Sequence, residues 1–173
     1  GLQLSSPAIL SLGFLALIVI GTVLLSLPIA TIQPISILAA AFTATSAVTV
    51  TGLNVVDTAN YTTFGQLVIA ALIQFGGLGF MTFAILVLTS LQGKMGLSGS
   101  ITAQEALGTH SNQIGSTAKA VIKIAFITES LGFLGLTLLL APLKGLKDAM
   151  YEAFFLCISA FNNAGFALNG NNM

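Results

Sequence analysis

Apolar positions run along this chain in long, nearly unbroken blocks, and polar positions gather where the blocks end. A hydrocarbon layer about 30 Å thick is crossed by roughly 20 apolar helical residues. Three blocks reach that length: Pro7 to Leu27, Thr63 to Leu91 and Thr117 to Leu140. Main-chain polar groups in lipid must pair within their own segment, so each block is predicted to be a helix. Ser6 and Pro7 suit the start of the first, and Pro28 stops it. No basic residue precedes it and no small-residue cleavage site stands out, so it reads as a span rather than a secretory signal. Thr63 with Gln66 forms a capping box for the second, which Gly93 ends. Ser116 caps the third and Pro142 closes it.

Two further apolar blocks, Pro34 to Val48 and Lys147 to Phe161, are too short to span. Each leads into a polar stretch containing glycine. Such segments are often re-entrant, and non-helical backbone at membrane depth survives only when buried in protein or lining a watery cavity. This pattern points to a pore.

Charge sharpens the picture. The 173 residues include five basic and five acidic ones, or 6% charged, against roughly 25% in an average soluble domain. So few charges do not cover a soluble surface, and the chain is expected to sit in a lipid bilayer. A net charge of zero with no lysine cluster excludes a nucleic-acid binder, and the single Cys157 excludes a disulfide scaffold. Lys94, Lys119 and Lys123 flank the stretch between the second and third spans, whereas Lys144 and Lys147 lie beyond the third. The positive-inside rule then puts residues 92–116 in the cytoplasm and brings the short helices in from outside. Gly96, Leu97, Ser98, Gly99 and Ser100 make this linker flexible, with one short helix expected near Ile101–Leu107.

The blocks repeat. Aligning Gly52 with Gly165 sets an offset of 165 − 52 = 113 residues, at which Ala40 meets Ala153, Phe42 meets Phe155, Ser46 meets Ser159 and Ala47 meets Ala160. The repeating unit is span, short helix, glycine loop, span. Residues 1–91 form a first complete unit, 92–116 the linker, and 117–173 a second unit that stops after its loop. The expected fold is an all-α membrane protein built from channel-type units, each a span, a re-entrant pore helix, a filter loop and a span.

A cation leaving water needs other oxygens, because an unpaired ion in low dielectric costs on the order of tens of kcal/mol. Rings of backbone carbonyls supply them in selective pores, and glycine permits the backbone torsions required. Thr49, Val50, Thr51 and Gly52 fit this role after the first short helix, and Asn162, Asn163, Ala164 and Gly165 after the second. The C-terminal ends of both short helices add partial negative charge that favours a cation. Taken singly, either glycine reads as a turn; as a matched pair after re-entrant helices they read as filter residues. Asp57 follows the first loop, either as a cation attractor at the outer mouth or as a solvated loop acid.

Thr-Ala-Thr-Ser-Ala-Val-Thr-Val-Thr-Gly-Leu at 43–53 resembles the first pore loop of the Trk/Ktr/HKT potassium transporters. Gln74-Phe75-Gly76-Gly77-Leu78-Gly79-Phe80 resembles the helix that follows it, and Phe161-Asn162-Asn163-Ala164-Gly165-Phe166 the second loop. The likeness covers essentially the whole chain. It implies a multi-pass protein of the cell membrane with four such units around one potassium path, each supplying a filter glycine, here Gly52 and Gly165. It implies potassium as the substrate ion, leaves sodium open as a second one, and brings no organic cofactor. It further implies a homodimer bound to a cytoplasmic nucleotide-binding regulatory ring subunit of the KtrA/TrkA type. The chain holds about one and three-quarter units and lacks an initiator Met, so it is expected to be the N-terminal part of a longer protein.

Other chemistry is weaker. Gly76, Gly77 and Gly79 read as helix-packing glycines. Glu129 lies well inside the third span, as a functional carboxylate or as a partner for a neighbouring helix. Gln74 reads as an interhelical hydrogen bonder and Cys157 as a small core residue. Gly96-Leu97-Ser98-Gly99 matches the Gly-x-Ser-Gly of rhomboid-type proteases, but it and His110, the single histidine, share a flexible linker with no built oxyanion site. No metal-ligand spacing and no phosphate-cradling motif occurs, so an enzyme is not expected. The alternative function is a half-helix channel for small neutral solutes, although neither loop carries the proline of an Asn-Pro-Ala signature.

Overall fold

The computed structural model describes residues 6–95 and 105–168. Five α-helices follow in order: α1 (Ser6–Leu25), α2 (Ile37–Val48), α3 (Thr63–Met95), α4 (Glu105–Lys144) and α5 (Leu146–Phe161), with a 3₁₀ turn at Thr58–Asn60 before α3. Among the described residues no strand forms, and one isolated bridge pairs Thr31 with Tyr61.

Helix α3 is the hub, since it packs against α1, α2, α4 and α5 alike. Helix α2 lies on α1 and α3, and α5 lies on α4 and α3. Small residues let α2 come close: Ala39, Ala40, Thr43, Ala44, Ser46 and Ala47 are all buried. The core then fills with Leu25, Val48, Tyr61, Ile69, Ile73, Phe155 and Phe166. The outward faces are equally apolar. Leu15, Val19 and Val23 on α1 and Phe126, Leu131 and Leu138 on α4 are all exposed, which matches lipid and not water as the surrounding medium. Thr63–Ile85 and Gly115–Lys144 are long and apolar enough to cross a membrane. The first expected span is α1, 20 residues long, whose apolar stretch Leu10–Leu25 falls short of that length.

Several expected boundaries move. Thr62, not Thr63, caps α3: its Oγ1 accepts from the Gly65 N–H at 3.3 Å and donates to the Ile29 carbonyl at 2.6 Å. Gln66 makes no capping box. Its amide donates to the Thr58 carbonyl at 3.2 Å and accepts from the Tyr151 hydroxyl at 2.7 Å, so a long-range pairing wins over a local one. Ser116 lies within α4, whose helix begins by Glu105. Pro142 also lies within α4, removing one main-chain donor without ending the helix. The break comes at Gly145, whose φ of 83° turns the chain from α4 into α5. The glycine-rich stretch 96–100 and the start of the short helix expected there lie outside the described residues; Glu105–Leu107 and His110 belong to α4.

Candidate functional site: two glycine loops against one helix

Helices α2 and α5 both end in a loop, and the two loops take the same course. Thr49 follows α2 with φ −87° and ψ 1°, and Asn162 follows α5 with φ −82° and ψ −1°. Val50 and Asn163 come next with φ of 50° and 58°. Gly52 and Gly165 have φ of 72° and 74°. The Thr51 N–H donates to the Ser46 carbonyl at 3.0 Å, and the Ala164 N–H to the Ser159 carbonyl at 2.7 Å. Each of these pairs is separated by the same 113 residues that align Gly52 with Gly165.

The glycines are required by more than torsion. A Cβ on Gly52 would stand 2.5 Å from the Ala164 carbonyl oxygen, so the two loops touch at this point. Val50 occupies the left-handed region although it is β-branched, a strain of about 1–3 kcal/mol that surrounding packing must hold. Asn163 tolerates the same region more readily, because asparagine's short polar side chain is able to bond to nearby main chain. Among the described residues, no backbone N–H donates to the carbonyls of Thr49 to Gly52 or of Asn162 to Gly165. Main-chain oxygens left without a backbone partner take one from water or an ion. Both helix C-termini add their partial negative charge here.

The side chains divide differently from the backbones. Thr49 and Thr51 are exposed. Thr49 Oγ1 donates back to the Thr45 carbonyl at 2.8 Å, and Thr51 Oγ1 donates to Ser46 Oγ at 3.2 Å. In the second loop Ala164 stands where Thr51 stands in the first, so the buried Ser159 Oγ has no partner. Asn163 is exposed, but Asn162 turns inward and is 4% exposed. Asn162 Nδ2 donates to Gln74 Oε1 and to the Ile158 carbonyl, both at 2.9 Å. The loops therefore offer main-chain oxygens, while the Asn162 side chain serves packing. Asp57 is exposed and leads into the 3₁₀ turn without a side-chain cap.

Gly76 and Gly77 are the seats for both loops on α3. A Cβ on Gly76 would overlap the Val48 carbonyl at the end of α2, and one on Gly77 would overlap Asn162 Oδ1 at the end of α5. Gly79 has only Phe14 nearby, at 3.5 Å from its Cβ position. Behind the first loop, the Tyr61 hydroxyl donates to Thr43 Oγ1 at 3.0 Å, and burial pushes the Tyr61 phenol above its usual range despite that bond. The Tyr61–Thr43 and Gln66–Tyr151 pairs escaped the sequence reading, since nothing local marks residues that meet across 18 and 85 positions. The Val50–Asn163 torsion pair was findable, because it falls on the same 113-residue offset.

Residues 7–173 match the family model TrkH, described as cation transport protein. The Ktr system potassium uptake protein B of Bacillus subtilis is 46% identical over 174 residues, covering 99% of this chain and 39% of that protein. The protein of the same name from Vibrio alginolyticus is 40% identical, covering 96% of this chain and 37% of its own length. The potassium/sodium uptake protein NtpJ of Enterococcus hirae is 35% identical over 99% of this chain. The chain thus spans about two fifths of the length of the curated relatives it matches. Its helices, its paired loops and this agreement along nearly its whole length identify the chain as a member of the TrkH family of cation transport proteins.

Proposed function

We propose that this chain contributes two of the filter loops through which a membrane protein takes up potassium. Thr49 to Gly52 and Asn162 to Gly165 would line the ion path with main-chain carbonyls, which replace water around a dehydrated cation. The observation that carries this reading is the matched backbone of the two loops, with Gly52 and Gly165 in contact and the neighbouring carbonyls free of backbone donors. Each loop opens with the same helix-ending turn, and the likeness continues beyond it to Gly52 and Gly165 at the same 113-residue offset, which supports equivalent roles for the two. The names of the relatives, potassium uptake protein B and potassium/sodium uptake protein, support potassium as the ion and keep sodium as the second candidate. Two loops do not close a ring, so the path is completed by further units of the multi-pass protein. A homodimer at the cell membrane and a cytoplasmic nucleotide-binding ring partner belong to the same proposal. In it, α2 and α5 are re-entrant pore helices, 1–91 and 117–173 are successive units, and 92–116 is cytoplasmic.

The experiment is rubidium uptake in a potassium-transport-deficient bacterium expressing the complete protein that carries this chain, compared with glycerol uptake. Gly52→Asp is expected to abolish rubidium uptake or its preference over sodium. Glycerol uptake without rubidium uptake favours the neutral-solute channel, and unchanged rate and preference in Gly52→Asp removes this loop from the path.

A further inference from the structure

Helix α5 carries the second loop, yet it is seated partly on α3, which precedes the linker. Hydrogen bonds tie α5 to α3 near both of its ends, and a glutamine of α3 accepts each one. The Tyr151 hydroxyl, in the early part of α5, donates to Gln66 Oε1 at 2.7 Å. Asn162 Nδ2, where the second loop leaves α5, donates to Gln74 Oε1 at 2.9 Å. Gln66, Gln74 and Tyr151 are half-buried, and Asn162 is buried.

Main-chain carbonyls, which only accept, settle the direction of both bonds. Gln66 turns its NH₂ to the Thr58 carbonyl at 3.2 Å, so its oxygen is the atom that faces Tyr151. Asn162 turns its NH₂ to the Ile158 carbonyl at 2.9 Å, and the same group reaches the Gln74 oxygen. With Gln66 reversed, two acceptors would meet at Thr58; with Gln74 reversed, two NH₂ groups would meet at Asn162. The glutamines stand 74 − 66 = 8 residues apart, which is about 12 Å along α3. One attachment would leave α5 free to pivot, whereas two at that separation oppose both sliding and tilting.

Helix α2 is built otherwise. At the 113-residue offset Tyr151 corresponds to Leu38, which is exposed, and Asn162 to Thr49, whose hydroxyl donates within its own segment to the Thr45 carbonyl. The ties are thus no part of the repeated pattern. They belong to the joint between α3 and α5, and α3 also receives the end of α2 at Gly76.

We propose that Gln66 and Gln74 are positioning residues: their amide oxygens hold α5 to α3 at two levels and so set the depth at which the second loop's main-chain oxygens stand beside those of the first. The proposal rests on both loops lining the ion path. Neither glutamine touches the ion. They act on selectivity by keeping the two sets of oxygens in register.

The test is the ratio of rubidium to sodium uptake by the complete protein that carries this chain, at matched membrane levels. Gln74→Met keeps the side-chain length and removes the acceptor beside the loop, and is expected to lower the ratio about tenfold. Tyr151→Phe removes only the donor at the far end of α5 and is expected to lower it about threefold. The milder change keeps the proposal testable if Gln74→Met does not reach the membrane. Leu72→Ala is the packing control: Leu72 is buried on α3 against Gly21 of α1, away from both ties. It is expected to lower the melting temperature while leaving the ratio within about twofold of the parent. A parental ratio in Gln74→Met or in Tyr151→Phe overturns the proposal, and so does a loss in Leu72→Ala as large as in Gln74→Met. Gly165→Asp is measured beside them. If it changes the ratio while Gln74→Met and Tyr151→Phe do not, only the role of the glutamines falls; if it changes nothing, the reading of the loop as ion path falls and this proposal with it.

Discussion

Gly52 faces Gly165 across an unequal gap: a Cβ on Gly52 would press on the Ala164 carbonyl oxygen at 2.5 Å, while a Cβ on Gly165 would find the Gly52 Cα at 3.7 Å. Both glycines sit in the left-handed region, so alanine at either is strained by about 1–2 kcal/mol. Only at Gly52 does it also collide with a main-chain atom that cannot step aside. Gly52→Ala is therefore expected to lower rubidium uptake at least about tenfold more than Gly165→Ala, at matched membrane levels. Equal loss in the two variants would show that torsion alone sets the demand.

The two seats on α3 differ in the same sense. Gly76 abuts a backbone carbonyl, that of Val48, and Gly77 abuts the tip of the Asn162 side chain. Overpacking of this kind costs about 1–3 kcal/mol. Gly76→Ala is expected to lower the melting temperature of the detergent-purified protein more than Gly77→Ala. Adding Asn162→Ala to Gly77→Ala should recover part of the loss, and an unchanged melting temperature on that addition would contradict the contact.

Ser46 and Ser159 are equivalent in the alignment and unequal in bonding. Ser46 Oγ accepts from Thr51 at 3.2 Å, whereas Ser159 Oγ is fully buried and unpartnered. Removing a paired hydroxyl costs about 1 kcal/mol, and removing an orphaned one is near neutral or stabilising. Ser46→Ala should lower thermal stability and Ser159→Ala should leave it level or raise it. The reverse order would mean that Ser159 has a partner after all.

Tyr61 and Thr43 make a buried pair behind the first loop, each about 1% exposed. Tyr61→Phe leaves Thr43 Oγ1 without its donor and is expected to cost about 1–2 kcal/mol. Thr43→Val in the same chain should return much of this, since both polar partners are then gone. A double variant as unstable as the sum of the singles would rule out the bond as the cause.

The helices were legible because they are written as long apolar blocks, with Pro28 standing just past the end of the first. The loops were legible through the offset that pairs Ser46 with Ser159 and Gly52 with Gly165, a signal internal to the chain. What the sequence hid were contacts between distant positions. Gln66 followed by nothing local to oppose it read as half of a capping box, and the structure sends it to Thr58 and Tyr151. Pro142 read as a stop, yet a proline near a helix end removes only one bond, and Gly145 with its positive φ makes the turn. Gln74 was expected to bond between helices, but that its partner is Asn162 depends on how α3 and α5 pack.

Adjacent glycines on α3 receive the ends of both short helices, one each. Neighbouring residues on a helix point about 100° apart, so a small rotation of α3 about its own axis presses on one seat as it slackens the other. The loops are in that sense ganged. A change in α3, wherever along its length it begins, reaches both loops in a single movement.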